Sequence, residues 1–210
     1  YVLDLLDRCY FPTREGVANF HDNFVDALIL AGEEKIAEGK VEQSVALYKK
    51  AFTYPENHQV FLVDERATHD AQINYCLGEA YAALGRDAEA EKYWKLAAEQ
   101  DYELKGSKDF RYWTGLALER LGRKAEAEAI FSALVADGEA AVVTQHVNFY
   151  GAEGTTGVTV DIINSAAYYT QALGHLGLGH KGKAKRFFAE VQRLKPDHLW
   201  ANEFMKQFEK

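Results

Sequence analysis

Cysteine is almost absent: Cys9 and Cys76 are the only two in 210 residues, too few for a disulfide framework. Both read as buried free thiols in a reducing compartment, Cys76 most clearly because it lies beside Leu77 in an apolar helical pattern. No apolar run is long enough to cross a bilayer, and no basic start followed by an apolar stretch marks a signal peptide. An excess of positive charge is also missing. With 24 basic against 32 acidic side chains the formal charge is −8, so the average field repels phosphate backbones and anionic lipid. Neither nucleic acid nor a membrane is therefore an expected partner. The signs of disorder are lacking too, since 48% of residues are hydrophobic and 27% charged. The chain opens at Tyr1 without methionine, within Val2-Leu3-x-Leu5-Leu6, which reads as a helix already under way. A piece of a longer, cytoplasmic protein is expected.

What is present is repetition. Gly39, Gly85, Gly122 and Gly179 are each followed five residues later by a small residue (Ser44, Ala90, Ala127, Ala184) and nine later by an aromatic (Tyr48, Trp94, Phe131, Phe188). Twelve residues after each glycine stands an apolar one: Ala51, Ala97, Leu134, Val191. Each unit reads as a helix that ends at the glycine and a second helix that starts about two residues later, because the chain must leave the first helix in a left-handed conformation. Small residues at Gly78, Ala90, Gly115, Ala127 and Ala184 let paired helices approach, and the aromatics wedge between units.

The stretch Leu77-Gly78-x-x-Tyr81-x-x-x-Gly85-x4-Ala90-x3-Trp94-x2-Ala97 resembles a tetratricopeptide repeat, a paired-helix unit of about 34 residues. The expected fold is all-α: a right-handed α-solenoid of tetratricopeptide helix hairpins with a C-terminal capping helix. The expected layout is a partial leading element over 1–20 and four hairpins within 21–197, at about 22–54, 68–101, 107–137 and 160–195. Insertions fall at 58–67 and 138–159, with about twelve and about twenty-three residues beyond the repeat length. A smaller surplus lies near Lys105-Gly106-Ser107, and Phe11-Pro12-Thr13-Arg14-Glu15-Gly16 is a loop signal. Pro196-Asp197 stops the last hairpin, and Asp197 is placed to cap a closing helix over 198–210 that carries Trp200, Phe204 and Phe208 on one side.

Three segments carry a more particular resemblance: Tyr54-Pro55-Glu56-Asn57, Leu176-Gly177-Leu178-Gly179-His180-Lys181 and Pro196-Asp197-His198-Leu199-Trp200-Ala201. Over roughly 15–205 the chain is similar to the C-terminal tetratricopeptide region of large, mostly uncharacterised bacterial proteins. That resemblance implies an upstream β-sandwich of the mutarotase-like kind. It implies no catalytic residue here. His58-Gln59-Val60-Phe61 departs from the Leu-Gly-Val-Gly-like turn of that family.

In tetratricopeptide arrays the concave surface is formed by first-helix residues, and Gly78, Gly115 and Ala172 would take the eighth repeat position. The fifth position is then Tyr75, Tyr112 and Tyr169, a tyrosine ladder. The ninth is Glu79, Leu116 and Leu173, and Glu119 with Arg120 follow in the third unit. These eight residues are the candidate groove for a peptide or protein partner, which could be a domain of the same longer chain. Phenols hold an extended peptide by ring contact and hydroxyl hydrogen bonds; equally, the rings could pack against neighbouring helices with only the hydroxyl wet. A carboxylate clamp is not expected, since Tyr75 and Glu79 stand where lysine and asparagine would be needed.

No cofactor or metal is expected. His175 and His180 fall on different faces with Gly179 between them, and His58, His69, His146 and His198 lie in or beside loops without zinc-ligand spacing. Gly151-Ala152-Glu153-Gly154-Thr155-Thr156-Gly157 lacks the Gly-Lys-Ser/Thr ending of a phosphate loop and reads as a linker. Val142-Val143-x-x-His146-Val147-x-Phe149-Tyr150 is apolar enough to lie against the array or strap across its groove. The expected role is a non-catalytic interaction scaffold. The alternatives are an accessory or oligomerisation region of a larger carbohydrate-active enzyme, or direct saccharide binding on the tyrosines.

Overall fold

The computed structural model describes residues 2–10, 20–58, 69–100, 108–144 and 160–209. The helices are α1 (Val2–Arg8), α2 (Phe20–Ala37), α3 (Val41–Lys50), α4 (Asp70–Ala83), α5 (Asp87–Ala98), α6 (Arg111–Arg120), α7 (Lys124–Ala141), α8 (Val160–Gly177), α9 (Lys181–Leu194) and α10 (Leu199–Lys206). Two single 3-10 turns, Glu56–His58 and Lys108–Phe110, complete the set, and no strand occurs among the described residues. The chain is an all-α array of helical hairpins. It forms two compact units, Tyr1–Arg123 and Lys124–Lys210. The loop at 11–16, the surplus at 105–107, most of the 58–67 insertion and the stretch 145–159, with its candidate linker and strap, lie outside the described residues.

The four corner glycines share one conformation, with φ of 75°, 69°, 76° and 74° at Gly39, Gly85, Gly122 and Gly179. An added Cβ would meet nothing within 4 Å at any of them, so the requirement is conformational and not steric. Each corner is closed by the same pair of bonds. At Gly85 the amide donates to the Ala82 carbonyl (2.9 Å) and the next amide, Arg86, donates back to the Tyr81 carbonyl (2.9 Å). Lys40 to Lys35, Arg123 to Leu118 and His180 to His175 repeat that second bond at 2.8 Å. These bonds use the orphan carbonyls of the first helix and turn the chain straight into the second.

The leading unit packs α2 on α3, α4 on α5, and α6 against both α4 and α5. Its core is built from Phe24, Leu28, Ile29, Tyr48, Ile73 and Leu77, each at most 1% exposed. Gly32 and Gly78 have a different task from the corner glycines: a Cβ there would overlap the Tyr48 ring and the Trp94 indole. The aromatic of each second helix is thus laid flat across bare backbone of the first. α1 joins this unit by polar bonds at its end: Asn57 Nδ2 donates to the Leu6 and Cys9 carbonyls at 2.9 and 2.8 Å, and His58 Nε2 lies 2.9 Å from the Leu6 carbonyl. The Pro-Glu-Asn turn therefore caps the C-terminus of α1. Cys76 is buried and Cys9 exposed. The expectation of a buried thiol thus fails at Cys9, which follows the C-terminal end of α1.

In the second unit α8 packs on both α7 and α9, and α10 on α9. α7 continues through Gly138 to Ala141, past the expected start of the insertion at 138, because Gly138 lies within the helix at a backbone crossing. A Cβ at Gly138 would stand 2.6 Å from the Ala167 carbonyl oxygen, and one at Gly174 2.6 Å from that of Phe131. Just beyond α7 the Asn164 side chain grips the Val143 backbone, accepting from its amide (2.9 Å) and donating to its carbonyl (3.0 Å). α10 carries Phe204 onto Phe188, with ring centroids 5.2 Å apart at 14°. Its N-cap is His198 and not Asp197: the imidazole Nδ1 accepts from the Ala201 amide at 3.2 Å. A neutral ring nitrogen is an acceptor and does the work of a capping oxygen.

Candidate functional site

Of the eight candidate groove residues, six lie in the leading unit. Tyr75 and Glu79 sit on α4, one turn apart and both half-buried; Tyr112, Leu116, Glu119 and Arg120 sit on α6. The structure brings Tyr75, Glu79 and Arg120 into one cluster. Arg120 Nη2 donates to Glu79 Oε2 at 2.5 Å, and the guanidinium interacts electrostatically with the nearby Tyr75 phenol. Burial and then the Glu79 charge push the Tyr75 phenol up to about 12, so it stays a neutral donor and acceptor. Glu119 is exposed and Leu116 half-buried on the same helix.

Tyr112 is only 5% exposed, and burial first, then Tyr75 and Glu119, drive its phenol higher still. Its ring is packing material. Tyr169 and Leu173 belong to the second unit and are buried at 8% and 1%. Tyr169 is covered by His198 (centroids 4.5 Å) and Phe188 (6.0 Å), so neither residue presents a surface. The tyrosine ladder therefore has one rung open to solvent, Tyr75.

Two residues that the repeat count did not select complete the cluster. Trp113, half-buried, lies between the other rings, 5.6 Å from Tyr75 and 5.3 Å edge-on from Tyr112. The signal was legible: in the adjacent pair Tyr112-Trp113 the side chains diverge by about 100°, so only one can enter the core. Trp94, read only as a wedge, reaches across Gly78 and donates its Nε1–H to Glu79 Oε1 at 3.2 Å. Its ring also lies under the Arg120 guanidinium, 5.9 Å away.

His21, His58, His69 and His175 are buried, His198 is half-buried and His180 exposed. His58 is 2% and His69 8% exposed, and the His21 ring stacks on Tyr54 at 4.2 Å. His69 Nε2 lies 3.6 Å from Asp22 and Nδ1 3.9 Å from Asp26, both on α2, while its ring meets Phe110 at 4.6 Å. Burial opposes its protonation, but Asp22, Asp26 and Asp109 outweigh it and the His69 pKa is raised. Burial alone dominates at His21 and His198, each held down to about 4. The cavity beside His21, Tyr54 and His69 holds about 10 Å³, room for one water. The corner at Gly179 folds His180 back so that its Nδ1 lies 3.4 Å from that of His175, although the two are five residues apart. Among the described residues no group of three His, Cys, Asp or Glu is disposed to hold a metal ion. No helix among them is long and apolar enough to cross a membrane.

No protein-family model matches the sequence, and no curated protein does. Two solved structures align with most of the chain at low likeness. The MamA RS-1 ArsTM double mutant aligns over 86% of this chain and 80% of its own at 16% identity, with a TM-score of 0.31. YrrB, a TPR protein with an unusual peptide-binding site, aligns over 85% of this chain and 90% of its own at 19% identity, with the same TM-score of 0.31.

Proposed function

We propose that the chain is a non-catalytic interaction scaffold that holds an extended peptide, or a segment of a partner domain, along the α4–α6 face of its leading unit. The observation that carries this reading is Trp113, a large aromatic left half-buried between Tyr75 and Tyr112 on the helix that also carries Leu116, Glu119 and Arg120. A ring of that size is normally driven into a core; left at a surface beside polar groups it gives a rigid contact area at low entropic cost. The face offers no activated nucleophile. Its Tyr75 phenol is held neutral, and Arg120 and Glu79 are bound to one another.

The test is capture from a bead-displayed peptide library, with an oligosaccharide array in parallel, by wild type, Trp113→Ser and Leu96→Ser. Leu96 is an exposed apolar residue on α5, 43% accessible, and serves as the control. Peptides retained by wild type should lose about tenfold or more in affinity with Trp113→Ser and little with Leu96→Ser. Equal capture by Trp113→Ser, or retention of saccharides in place of peptides, contradicts the reading.

A further inference from the structure

The cluster around Glu79 has the composition of a guanidinium receptor, and its occupant is a residue of the same chain. The carboxylate accepts from the Trp94 indole through one oxygen and from Arg120 through the other. The same indole face lies under the guanidinium, and the Tyr75 phenol, coupled electrostatically to it, stands beside the pair. A planar cation with several donors is met by an acid, a phenol and an aromatic face, each fixed by its own packing. Gly78 sets this up: without a side chain there, the Trp94 indole settles across α4 and turns its N–H toward Glu79.

The two halves of the pair differ in how firmly they are held. The Glu79 side chain is 28% exposed and tied to α5 through Trp94, whereas Arg120 is 52% exposed in the last turn of α6. An exposed ion pair is weakly held, so the occupant can be exchanged while the receptor stays assembled. The surroundings favour a cation: Glu33 on α2 and Glu119 on α6 are exposed, and the charges of Glu33 and Glu79 are both felt at the buried Cys76 thiol.

We propose that Tyr75, Glu79 and Trp94 form an arginine-binding notch on the α4–α6 face, filled by Arg120 in the free protein and taken over by an arginine side chain of the bound partner. This rests on the contact-face reading and gives it a partner chemistry: an extended peptide with an arginine, its flanking apolar residue on Trp113. Lysine fits poorly, since a point charge cannot face the acid, the phenol and the indole plane together.

The full chain carrying Arg120→Ala is titrated with N-acetyl-arginine amide and with N-acetyl-lysine amide while the Trp94 indole N–H resonance is followed. The expected result is a saturable shift with the arginine probe, weaker by about tenfold or more for the lysine probe and after a second substitution, Glu79→Gln. In wild type the same probe should need a several-fold higher concentration. Arg120→Met, which keeps the aliphatic contact, should behave as Arg120→Ala does and separates loss of the cation from loss of packing. An unmoved Trp94 resonance in both variants at unchanged helical circular dichroism, or equal responses to the two probes, overturns the notch. If the notch fails while Trp113→Ser still abolishes peptide capture, the contact face stands without it.

Discussion

Tyr75 and Tyr169 occupy the same place in the repeat count and meet opposite fates. Tyr169, in the second unit, is covered by Phe188 of its hairpin partner and by His198 at the cap of the closing helix. Tyr75, in the leading unit, meets Trp113 on one side and the Arg120–Glu79 pair on the other, and stays half-buried. The contrast extends to the way helices meet. Both units lay an aromatic over a glycine, Tyr48 and Trp94 over Gly32 and Gly78 in the leading unit and Phe131 over Gly177 in the second, but only the second also brings α7 and α8 together backbone to backbone, at Gly138 and Gly174. A crossing built from backbone leaves little side chain to display. Tyr48 is buried whole, whereas Trp94 turns its N–H to the half-buried Glu79, and there the candidate site lies.

Glycine substitutions should break this comparison most strongly. Gly174→Ala drives a methyl into the fixed Phe131 carbonyl, while Gly78→Ala meets the Trp94 ring, which can swing away. Thermal or urea denaturation should show Gly174→Ala costing about 3 kcal/mol and Gly78→Ala about 1 kcal/mol. Gly78→Ala should in addition lose the Trp94–Glu79 bond, seen as a changed indole environment. Equal losses would mean that the two units pack by the same rule.

A smaller effect should separate the units by pH. His69 has a folded pKa above its ordinary value, so its contribution is complete below about 6.5 and is lost as pH rises through the folded value. His198 is held at about 4, so the unfolded chain binds the extra proton between pH 4 and about 6.5, and stability falls as the solution is acidified across that window. His198→Asn keeps a capping acceptor that does not titrate and should flatten part of the acid limb. His69→Gln should leave that limb in place and remove stability mainly at low pH, leaving the alkaline side little changed. His21, also at about 4, adds to the acid limb from the leading unit, so the His198→Asn effect should be partial.

Much of the fold was legible because its signals are local. The four corner glycines, the small residue five later and the aromatic nine later each follow from one helix end and one close approach, and all four corners are left-handed. Tertiary context decided what local rules could not. Gly138 looks like a place to stop and is a crossing point inside α7; Asp197 looks like a cap, yet the neighbouring imidazole takes that role. At the candidate site the repeat register marked Tyr75, Glu79 and Arg120, which meet. It also marked Tyr112, Tyr169 and Leu173, which are buried, because position in a repeat does not say what covers a residue from the next helix. Trp94 escaped notice as a site residue because its ring is a wedge while its N–H serves the surface.

The three tryptophans offer the most direct test of the contact-face account, since Trp94 and Trp113 lie at the proposed face and Trp200 is on α10 of the other unit. The measurement is the indole N–H spectrum of the intact chain during titration with an arginine-containing peptide recovered from the library. Shifts at Trp94 and Trp113 with Trp200 unmoved are the predicted result. Movement of Trp200 alone, or of none of the three as the peptide binds, would contradict it.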